Sequence, residues 1–506
     1  MVEVPGMTDV TTRYGVIRWI GIPEGSRSTK QVAGIELESP IAQGATDGTF
    51  NKQRYFQCEP HKAIFVYLSK CKPDSRFPSQ SQTFQSSKRQ TSLDFGGFDS
   101  PLVEGFVDPP PSLKPEFVGM QKGIQGDQNS CYLDTTLFSM FAYNGVFDPL
   151  LRRTQGKDDL QLYEEVQKTL RESIVNPLRK HGFVRADRVL QLREHLDHLG
   201  TTKGLMSEEK DPEEFLHTLL SEVFKSKPLL KIRHGANKAV DESNIYQIFL
   251  DRDESFTLPT VEQLLLQSFQ EHDLKLVQPP SCMIVQMPRF GKEYKMYNRI
   301  LPSLQLDITN IIEDYPRQCV VCGGLSVLEC NSCKTEEAVA ETTHIKNYCQ
   351  GCYDKMHSKT SRSHHHPTTL NIPDHFLKDY YSKTSKAGYT LEEIDHHRQI
   401  MLTPKLMDLF AVICIRTSHY VAFIKAGRET DSEWVFFDSM ADRQGDQQGY
   451  NIPQVTHLKD FRSWVDVEHI KRRIESKQLT ELMERLLGDA YICMYSNTET
   501  QSMTYV

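Results

Sequence analysis

The sequence predicts an α+β protein that carries a small β domain at its N-terminal end. Three short segments near the N-terminus are rich in strand formers and are separated by glycine-containing turns, at residues 14–20, 33–37 and 63–68. Further along, amphipathic helical segments come before strand-like segments, which favours an α+β body over a doubly wound sheet. Because 506 residues are too many for one typical core, we expect two or three domains.

Short strands joined by glycine turns predict a small, strongly bent β-barrel over residues 10–77. The order of its segments (GVIRWIG, GIELE, DGTF and RYFQC) resembles that of a CAP-Gly domain, and such domains bind peptides. Residues 44–48 read GATDG, whereas the family usually has Gly-Lys-Asn-Asp-Gly, so the pair that reads a terminal carboxylate is missing. The resemblance therefore implies a peptide partner other than a tubulin tail. The alternative is a spacer barrel that has lost its ligand.

Residues 78–115 are predicted to form a flexible linker. This stretch is rich in Ser, Gln, Gly and Pro and shows no periodicity, so it buries too little apolar surface to offset its chain entropy. A tether of this kind raises the effective concentration of whatever the first domain captures. Predicted helices follow at residues 158–176, 184–199 and 211–225, and a buried strand is predicted at residues 281–290.

Residues 123–142 (GIQGDQNSCYLDTTLFSMFA) contain the first candidate catalytic residue. A polar turn leads into apolar residues at three- and four-residue spacing, which predicts a helix with one buried face. Cys131 lies where this helix begins, and the unpaired N–H groups and the positive dipole end there favour the reactive thiolate. Cys131 is therefore a candidate nucleophile.

Two later strand-like segments supply a histidine and a carboxylate. Residues 409–425 contain two apolar runs broken just before His419, so the histidine lies on a turn between strands. A rigidly held imidazole suits a general base that takes the thiol proton and later protonates the leaving amine. Asp438 falls at the end of the next apolar segment, residues 433–439, where its carboxylate would orient the imidazole. The order Cys, His, Asp indicates a cysteine hydrolase.

Residues 116–500 resemble the ubiquitin-specific proteases, which have a papain-like fold of thumb, palm and fingers. NSCYLDTTLF resembles the family's cysteine box, SHY followed by WVFFD resembles its histidine box, and DPEEFL, QMPRF and DAYICMY fall in family order. The resemblance implies that Cys131 is the nucleophile, His419 the general base and Asp438 the orienting acid of a deubiquitinase. Together with the CAP-Gly-like domain, it further implies cleavage of lysine-63-linked and linear ubiquitin chains. It also implies a role in NF-κB signalling, with the regulatory subunit of the IκB kinase complex as a partner.

The sequence departs from this family at the position five residues before the cysteine. Many members have Asn there to help hold the oxyanion, whereas this chain has Gly126. A lost oxyanion donor costs about 3–4 kcal/mol in other hydrolases, so we expect a replacement. By analogy the Cys131 backbone N–H is one donor, and the candidates for the second are Gln125, Gln128 and Asn129. The departure leaves open a second interpretation, a scaffold that binds ubiquitin chains without cutting them.

Paired cysteines form the strongest metal-binding pattern in the chain. Each C-x2-C pair places two thiolates on one tight turn, as tetrahedral Zn²⁺ requires, and six cysteines with two histidines make two structural zinc sites. The order resembles a B-box, whose pairs alternate, and implies one ion on Cys319, Cys322, Cys349 and Cys352 and another on Cys330, Cys333, His357 and His365. His364 is an alternative to His365. The cluster follows the PRF segment, which predicts a separate module inserted at residues 316–368; a RING-like ligase element is the other interpretation.

Composition and charge exclude several other classes of function. The formal net charge of −8 argues against a nucleic-acid binder that works by bulk charge. The N-terminus lacks the pattern of a secretory signal, and no apolar stretch approaches the roughly 20 residues that a membrane span needs. Twelve cysteines with metal-like clustering indicate a reducing compartment, and the resemblance implies a cytoplasmic protein, perinuclear or cytoskeleton-associated. Because the chain starts almost directly with the CAP-Gly-like domain, we expect a fragment or a shorter relative of a longer protein.

Overall fold

The computed structural model of the chain divides into two compact units. It describes residues 2–5, 12–23, 30–41, 44–73, 92–127, 129–199, 210–235, 239–290, 294–333, 346–358, 362–385, 388–442 and 449–497. The first unit comprises Met1–Lys227, Arg289–Asn298 and Phe410–Ile492, and the second comprises Pro228–Pro288, Arg299–Leu409 and Cys493–Val506. Among the described residues, no helix combines the length and apolar character that crossing a membrane requires.

The N-terminal segment of the first unit is a small antiparallel β domain. Its strands are β1 (Val2–Pro5), β2 (Thr12–Gly21), β3 (Val32–Leu37), β4 (Thr49–Phe50), β5 (Gln53–Arg54), β6 (Ala63–Tyr67) and β7 (Lys72–Pro73). The main sheet has the order β6-β3-β2-β1-β7, and β4 pairs with β5 in a separate hairpin. Strands β2, β3 and β6 confirm the three strands predicted from the sequence. Strands β1, β3 and β6 bury apolar side chains, including Val4, Ile35 and Ile64, in one core.

Helices dominate the next part of the first unit. The elements are β8 (Gly119–Met120), β9 (Gly123–Ile124), α1 (Cys131–Phe141), α2 (Asp148–Arg152), α3 (Tyr163–Lys168), α4 (Asn176–His181), β10 (Phe183–Val184), α5 (Ala186–His198) and α6 (Pro212–His217). Wider π turns over Thr169–Val175 join α3 to α4, and similar turns over Thr218–Val223 extend α6. The predicted helices are therefore confirmed, although the first begins five residues later than predicted and continues to His181.

The prediction of a flexible linker is wrong for its second half. Residues 92–114 run over the helices, where Phe95 and Val103 bury their side chains. The buried Asn176 side chain donates to the carbonyl oxygens of Val103 and Gly105, both at 2.8 Å. A segment too polar to form its own core is thus fixed by side chains from elsewhere in the chain, which its composition does not reveal. Residues 78–91 of the predicted linker lie outside the described residues.

The middle of the chain supplies most of the second unit. In chain order the elements are β11 (Leu230–His234), β12 (Val240–Ser243), β13 (Tyr246–Gln247), α7 (Val261–Glu271), β14 (Leu274–Leu276), β15 (Cys282–Gln286), β16 (Arg289–Phe290), β17 (Tyr294–Lys295), β18 (Gln305–Asp307), β19 (Leu328–Cys330), β20 (Lys346–Tyr348), α8 (Gln350–His357), β21 (Thr368–Thr369), α9 (Asp374–Thr384) and α10 (Leu391–Met401). One sheet has the order β12-β11-β14 and another β20-β19-β21. The hairpin of β16 and β17 belongs to the first unit.

Long antiparallel strands near the C-terminus complete the first unit. The remaining elements are β22 (Leu406–Arg416), β23 (His419–Lys425), β24 (Trp434–Asp442), β25 (Ile452–Leu458), α11 (Phe461–Trp464), α12 (Val467–Glu475), α13 (Glu481–Asp489) and β26 (Ala490–Ser496). Strands β22, β23, β24, β25 and β8 are neighbours in that order. Helix α1 is buried along its whole length and packs against β23 and β24, where Phe138 stacks on Phe437 with ring centroids 4.1 Å apart. This packing brings the start of α1 to the strands predicted to carry His419 and Asp438.

Arg179 should be a major contributor to the stability of this helical layer. Its guanidinium is buried and donates to the Asp148 carboxylate and to the carbonyl oxygens of Phe141, Val107 and Asn144. Removing one partner of a buried ion pair leaves the other uncompensated, so Arg179→Ala should lower the free energy of unfolding by about 3–5 kcal/mol. Urea denaturation followed by circular dichroism measures the change.

The matched control for this prediction is Arg152→Ala on the neighbouring helix. Arg152 pairs with Asp108 at 3.3 Å, and both side chains are exposed. An exposed pair of this kind contributes about 1 kcal/mol or less. Equal effects of the two substitutions would contradict the importance assigned to Arg179.

Candidate active site

Cys131 is the first residue of α1, and its side chain is buried. The turn before it is closed by Ser130, whose hydroxyl accepts from the Asp127 N–H at 2.8 Å and donates to the Asp134 carboxylate at 2.5 Å. The Cys131 thiol donates to the carbonyl oxygen of Ser418 at 3.7 Å. The start of the helix and the turn between β22 and β23 therefore meet at the sulfur atom.

His419 and Asp438 form a hydrogen-bonded pair next to this thiol. The Nε2–H of His419 donates to Asp438 Oδ1 at 2.8 Å, and the same oxygen accepts from the Met440 N–H at 2.9 Å. Because Nε2 carries the proton in this pairing, Nδ1 is the nitrogen left to exchange a proton with sulfur. Nδ1 is buried and has no hydrogen-bond partner among the described residues. The geometry suits an imidazole that moves a proton at Nδ1 while Nε2 stays fixed.

Electrostatics favour the charged form of both members of the pair. Burial lowers the pKa of His419, but the Asp438 carboxylate and the Cys131 sulfur outweigh it and raise that pKa to about 10. Burial raises the pKa of Asp438, yet His419 and the Met440 N–H hold it below its ordinary value. An imidazolium beside a thiolate is the arrangement that activates a cysteine nucleophile.

The candidates for the second oxyanion donor have different surroundings. The buried Gln125 side chain donates its amide hydrogens to the carbonyl oxygens of Phe95 and Asn451, at 3.1 and 2.8 Å, and accepts from the Ala186 N–H at 3.1 Å. Gln125 therefore holds the loop in place and has no amide hydrogen left for an oxyanion. Gln128 lies outside the described residues. Asn129 precedes the cysteine with a backbone φ of 60°, and its role as a donor stays a prediction.

Close packing explains why glycine occupies position 126. The Gly126 N–H donates to the Ser439 carbonyl at 3.0 Å, and the Gly126 carbonyl accepts from the Asn451 side chain at 3.0 Å. A Cβ atom at Gly126 would lie 2.8 Å from Cγ of Met440 and 3.0 Å from Oγ of Ser439. A side chain at this position would therefore require the side chains of Met440 and Ser439 to move.

Four further residues of the site were not predicted from the sequence. The Ser130–Asp134 pair was visible as a four-residue spacing at a helix start, where a hydroxyl and a carboxylate lie on one face. Asn451 and Arg485 line a cleft of about 450 Å³ together with His419 and Asp438. They come from a loop and a helix far along the chain, so no local motif connects them to the cysteine.

The eight predicted metal ligands form two groups in the second unit. Within each group the candidate ligand atoms lie within 4.8 Å of one another: Cys319, Cys322, Cys349 and Cys352 in the first, and Cys330, Cys333, His357 and His365 in the second. The sulfur atoms of Cys322 and Cys349 are 3.7 Å apart, close to the separation of about 3.8 Å that two Zn–S bonds at a tetrahedral angle give. These residues fit a tetrahedral metal ion.

The second group also has the outer contacts expected of metal ligands. His365 Nδ1 lies 3.4 Å from the sulfur of Cys333, so His365 is the histidine that joins the group. His357 turns Nε2 toward the same sulfur at 3.2 Å, while its Nδ1–H donates to the Tyr353 carbonyl at 3.1 Å. A ligating histidine ordinarily donates its second N–H in this way, which fixes the ring and its tautomer.

The contact between His419 and Asp438 predicts how the imidazole titrates. Because the carboxylate charge helps to raise the pKa of His419 to about 10, Asp438→Asn should lower that pKa by about 1–3 units, the usual effect of one nearby opposite charge. The raised value also means that the proton on His419 stabilises the folded state fully below pH ~6.5 and that this contribution is lost as pH rises to about 10. NMR titration of ¹³C-labelled histidine, with His457→Gln to assist assignment, measures the change; an unchanged pKa in Asp438→Asn would refute the pairing.

The sequence matches two protein families. The CAP-Gly domain family matches residues 4–71, and the ubiquitin carboxyl-terminal hydrolase family matches residues 122–495. Ubiquitin carboxyl-terminal hydrolase CYLD of Mus musculus is 44% identical over 489 residues, which cover 96% of this chain and 49% of the mouse protein. The Homo sapiens protein of the same name gives the same identity and coverage. The chain thus spans about half the length of the curated relatives it matches.

The family match agrees with the architecture described above. Among solved structures, the SAGA Ubp8/Sgf11/Sus1/Sgf73 DUB module bound to ubiquitin aldehyde is 10% identical, with 74% of this chain and 69% of that chain covered and a TM-score of 0.38. The predicted papain-like α+β fold, with a small N-terminal β domain and an inserted cysteine-rich module, is confirmed by the family match and the two cysteine–histidine groups. Since residues 122–495 make up well over half of its length, the chain belongs to the ubiquitin carboxyl-terminal hydrolase family and carries a CAP-Gly domain at its N-terminal end.

Proposed function

We propose that the protein is a cysteine deubiquitinase that hydrolyses the bond after the C-terminal glycine of ubiquitin. The observation that carries the proposal is the position of His419, which is hydrogen-bonded to Asp438 through Nε2 and presents Nδ1 beside Cys131. Cys131 is the nucleophile, His419 the general acid and base, and Asp438 the group that orients the imidazole. Membership of the ubiquitin carboxyl-terminal hydrolase family supports ubiquitin as the substrate.

The reaction runs in two halves through a thioester. The Cys131 thiolate attacks the carbonyl carbon of the terminal glycine, and the developing oxyanion is stabilised by backbone N–H groups at the start of α1. His419 then gives its Nδ1 proton to the departing amine, which leaves an acyl-enzyme. A water molecule, deprotonated by His419, attacks the thioester carbon and releases the ubiquitin carboxylate. The site is then left with the Cys131 thiolate and a protonated His419. This ion pair, or the thiol that forms when His419 returns its proton to sulfur, is the starting state for the next cycle.

We further propose lysine-63-linked and linear ubiquitin chains as substrates, in signalling of the NF-κB type. The 44% identity to hydrolases named CYLD supports this choice. The alternative of an inactive chain-binding scaffold depended on the missing Asn at Gly126. The contact of Gly126 with the Met440 side chain gives that glycine a packing reason, so a loss of catalysis is not needed to explain it.

The four-cysteine group and the group of two cysteines and two histidines are each proposed to hold one structural Zn²⁺ ion. Each group offers four protein ligands of the kinds that zinc prefers, so no position is left for a reacting water. The ions would stabilise the inserted module by linking segments that lie far apart in the sequence. Thiolate ligands persist in reducing compartments, which supports a cytoplasmic location, perinuclear or cytoskeleton-associated in line with the resemblance.

A peptide-binding role is proposed for the CAP-Gly domain. Partly exposed aromatic rings gather on one side of it: Trp19 and Tyr55 have centroids 4.4 Å apart, and Phe50 stacks on Phe65 at 4.8 Å. Within the variant glycine loop, Asp47 pairs with Arg54 at 2.5 Å. Aromatic rings of this kind bind extended apolar or proline-containing peptides. The regulatory subunit of the IκB kinase complex is the proposed partner on the basis of the resemblance.

Replacing the nucleophile should separate cleavage from binding. Wild type should cleave lysine-63-linked and linear di-ubiquitin in a gel time course over all linkages, and Cys131→Ala should abolish cleavage because only the attacking atom is removed. Chain binding measured by interferometry should be retained. Cys58→Ala, a half-buried cysteine of the N-terminal domain, is the matched control and should behave as wild type. Hydrolysis that survives in Cys131→Ala would exclude the assignment.

Metal removal should unfold the inserted module and leave the chemistry of Cys131 in place. Elemental analysis should find two zinc ions per chain, and Cys330→Ser should retain one, because it opens only the second group. A strong chelator should expose the segment from Cys319 to His365 to proteolysis, since metal binding and folding are coupled there. Immediate loss of turnover while the module stays protease-resistant would show that a metal ion takes part in catalysis.

A further inference from the structure

The turn between β22 and β23 touches both reacting side chains of the candidate site. Arg416 and His419 face each other as the last register pair of the two strands, with Thr417 and Ser418 between them. The Ser418 carbonyl oxygen accepts a hydrogen bond from the Cys131 thiol, and His419 supplies the imidazole of the catalytic pair. Any shift of this turn therefore changes the distance between sulfur and Nδ1.

This turn holds a conformation that it would not adopt on its own. Thr417 has a φ of 56°, in the left-handed region that β-branched residues rarely occupy. Such a residue persists only where the surrounding structure holds it. Two arginines supply contacts at the two ends of the turn.

At one end the anchor is Arg485 of α13. Its side chain is largely buried, and one guanidinium nitrogen donates to the carbonyl oxygen of His419 at 2.9 Å. At the other end, Nε of Arg416 donates to the carboxylate of Asp489 at 2.7 Å. Asp489 is the last residue of α13 and lies one helical turn beyond Arg485, so a single helix holds both ends of the turn.

Asp489 is the centre of this cluster. Its carboxylate is 4% exposed and also accepts from the Lys295 ammonium at 2.8 Å, while Arg485 lies 3.8 Å away. A buried carboxylate surrounded by three cations is fixed in position, because moving it would leave those charges unpaired. Arg485 in addition helps to keep the pKa of Asp438 low, so it lies near both members of the catalytic pair.

The geometry points to Arg485 and Asp489 as positioning residues for His419 and Cys131, acting through the Arg416–His419 turn. This inference rests on the proposed function, because it takes His419 as the acid and base of that reaction. Neither residue touches the reacting atoms. Their role is to keep sulfur and imidazole at the separation that proton transfer requires, where a displacement of 1 Å costs about 100-fold in rate.

The first test is Arg485→Lys in the full chain, assayed on a fluorogenic ubiquitin C-terminal amide. Lysine keeps the positive charge but lacks the planar fork that reaches both the His419 carbonyl and Asp489. We expect kcat to fall about 10- to 100-fold with a smaller change in KM, because the turn positions the reacting side chains and forms only part of the cleft wall. Arg472→Lys on α12, whose side chain is exposed, is the matched control and should leave both constants unchanged.

The second test keeps the inference falsifiable if Arg485→Lys does not fold. Arg416 is 27% exposed, so Arg416→Gln removes the other anchor at a less buried position, and thermal unfolding verifies that each variant is folded. Arg416→Gln should also lower kcat more than it changes KM. The double variant should lose less kcat than the product of the two single losses, because both arginines act on one turn. Two results would overturn the inference: an unchanged kcat in the folded variants, or a loss of kcat in the double variant equal to the product of the single losses. In either case cleavage by the wild type would still uphold the proposed function. A wild type that fails to cleave would overturn both.

Discussion

The hydrogen bond between His419 and Asp438 is the interaction on which the candidate site depends. It fixes the imidazole so that Nε2 stays bound to the carboxylate and Nδ1 is left for proton exchange with Cys131. The bond forms because β23 and β24 are neighbours in the sheet, with Ala422 opposite Phe437. The buried helix α1 packs on the same two strands and brings Cys131 into reach. The chemistry therefore follows from sheet register and helix packing, and loop conformation only completes it.

Much of this arrangement was predictable from local patterns. The apolar run after Cys131, the break before His419 and the strand that contains Asp438 each carry their own periodicity, and the structure forms the corresponding elements. The C-x2-C pairs were equally informative, since metal ligation demands a fixed spacing. In such cases the physical requirement acts over a few residues, so the sequence displays it directly.

The features that were missed depend on contacts between distant parts of the chain. Residues 92–114 look like a tether in composition, yet Asn176 and Arg179 hold their carbonyl groups. Gln125 looks like an oxyanion donor beside the cysteine, yet its amide is bound to backbone from remote segments. The packing of the Met440 side chain against Gly126 is of the same kind. A single sequence does not encode such pairings in any local pattern.

Covalent capture of the nucleophile distinguishes a catalytic Cys131 from an unreactive one. The full chain would be treated with ubiquitin that carries a C-terminal propargylamide, and the modified peptide would be located by mass spectrometry. We expect a single adduct at Cys131, formed much more slowly in Asp438→Asn because the imidazole is no longer held. An adduct at another cysteine, or no adduct on a folded protein, would contradict the assignment of Cys131, His419 and Asp438 as one catalytic group.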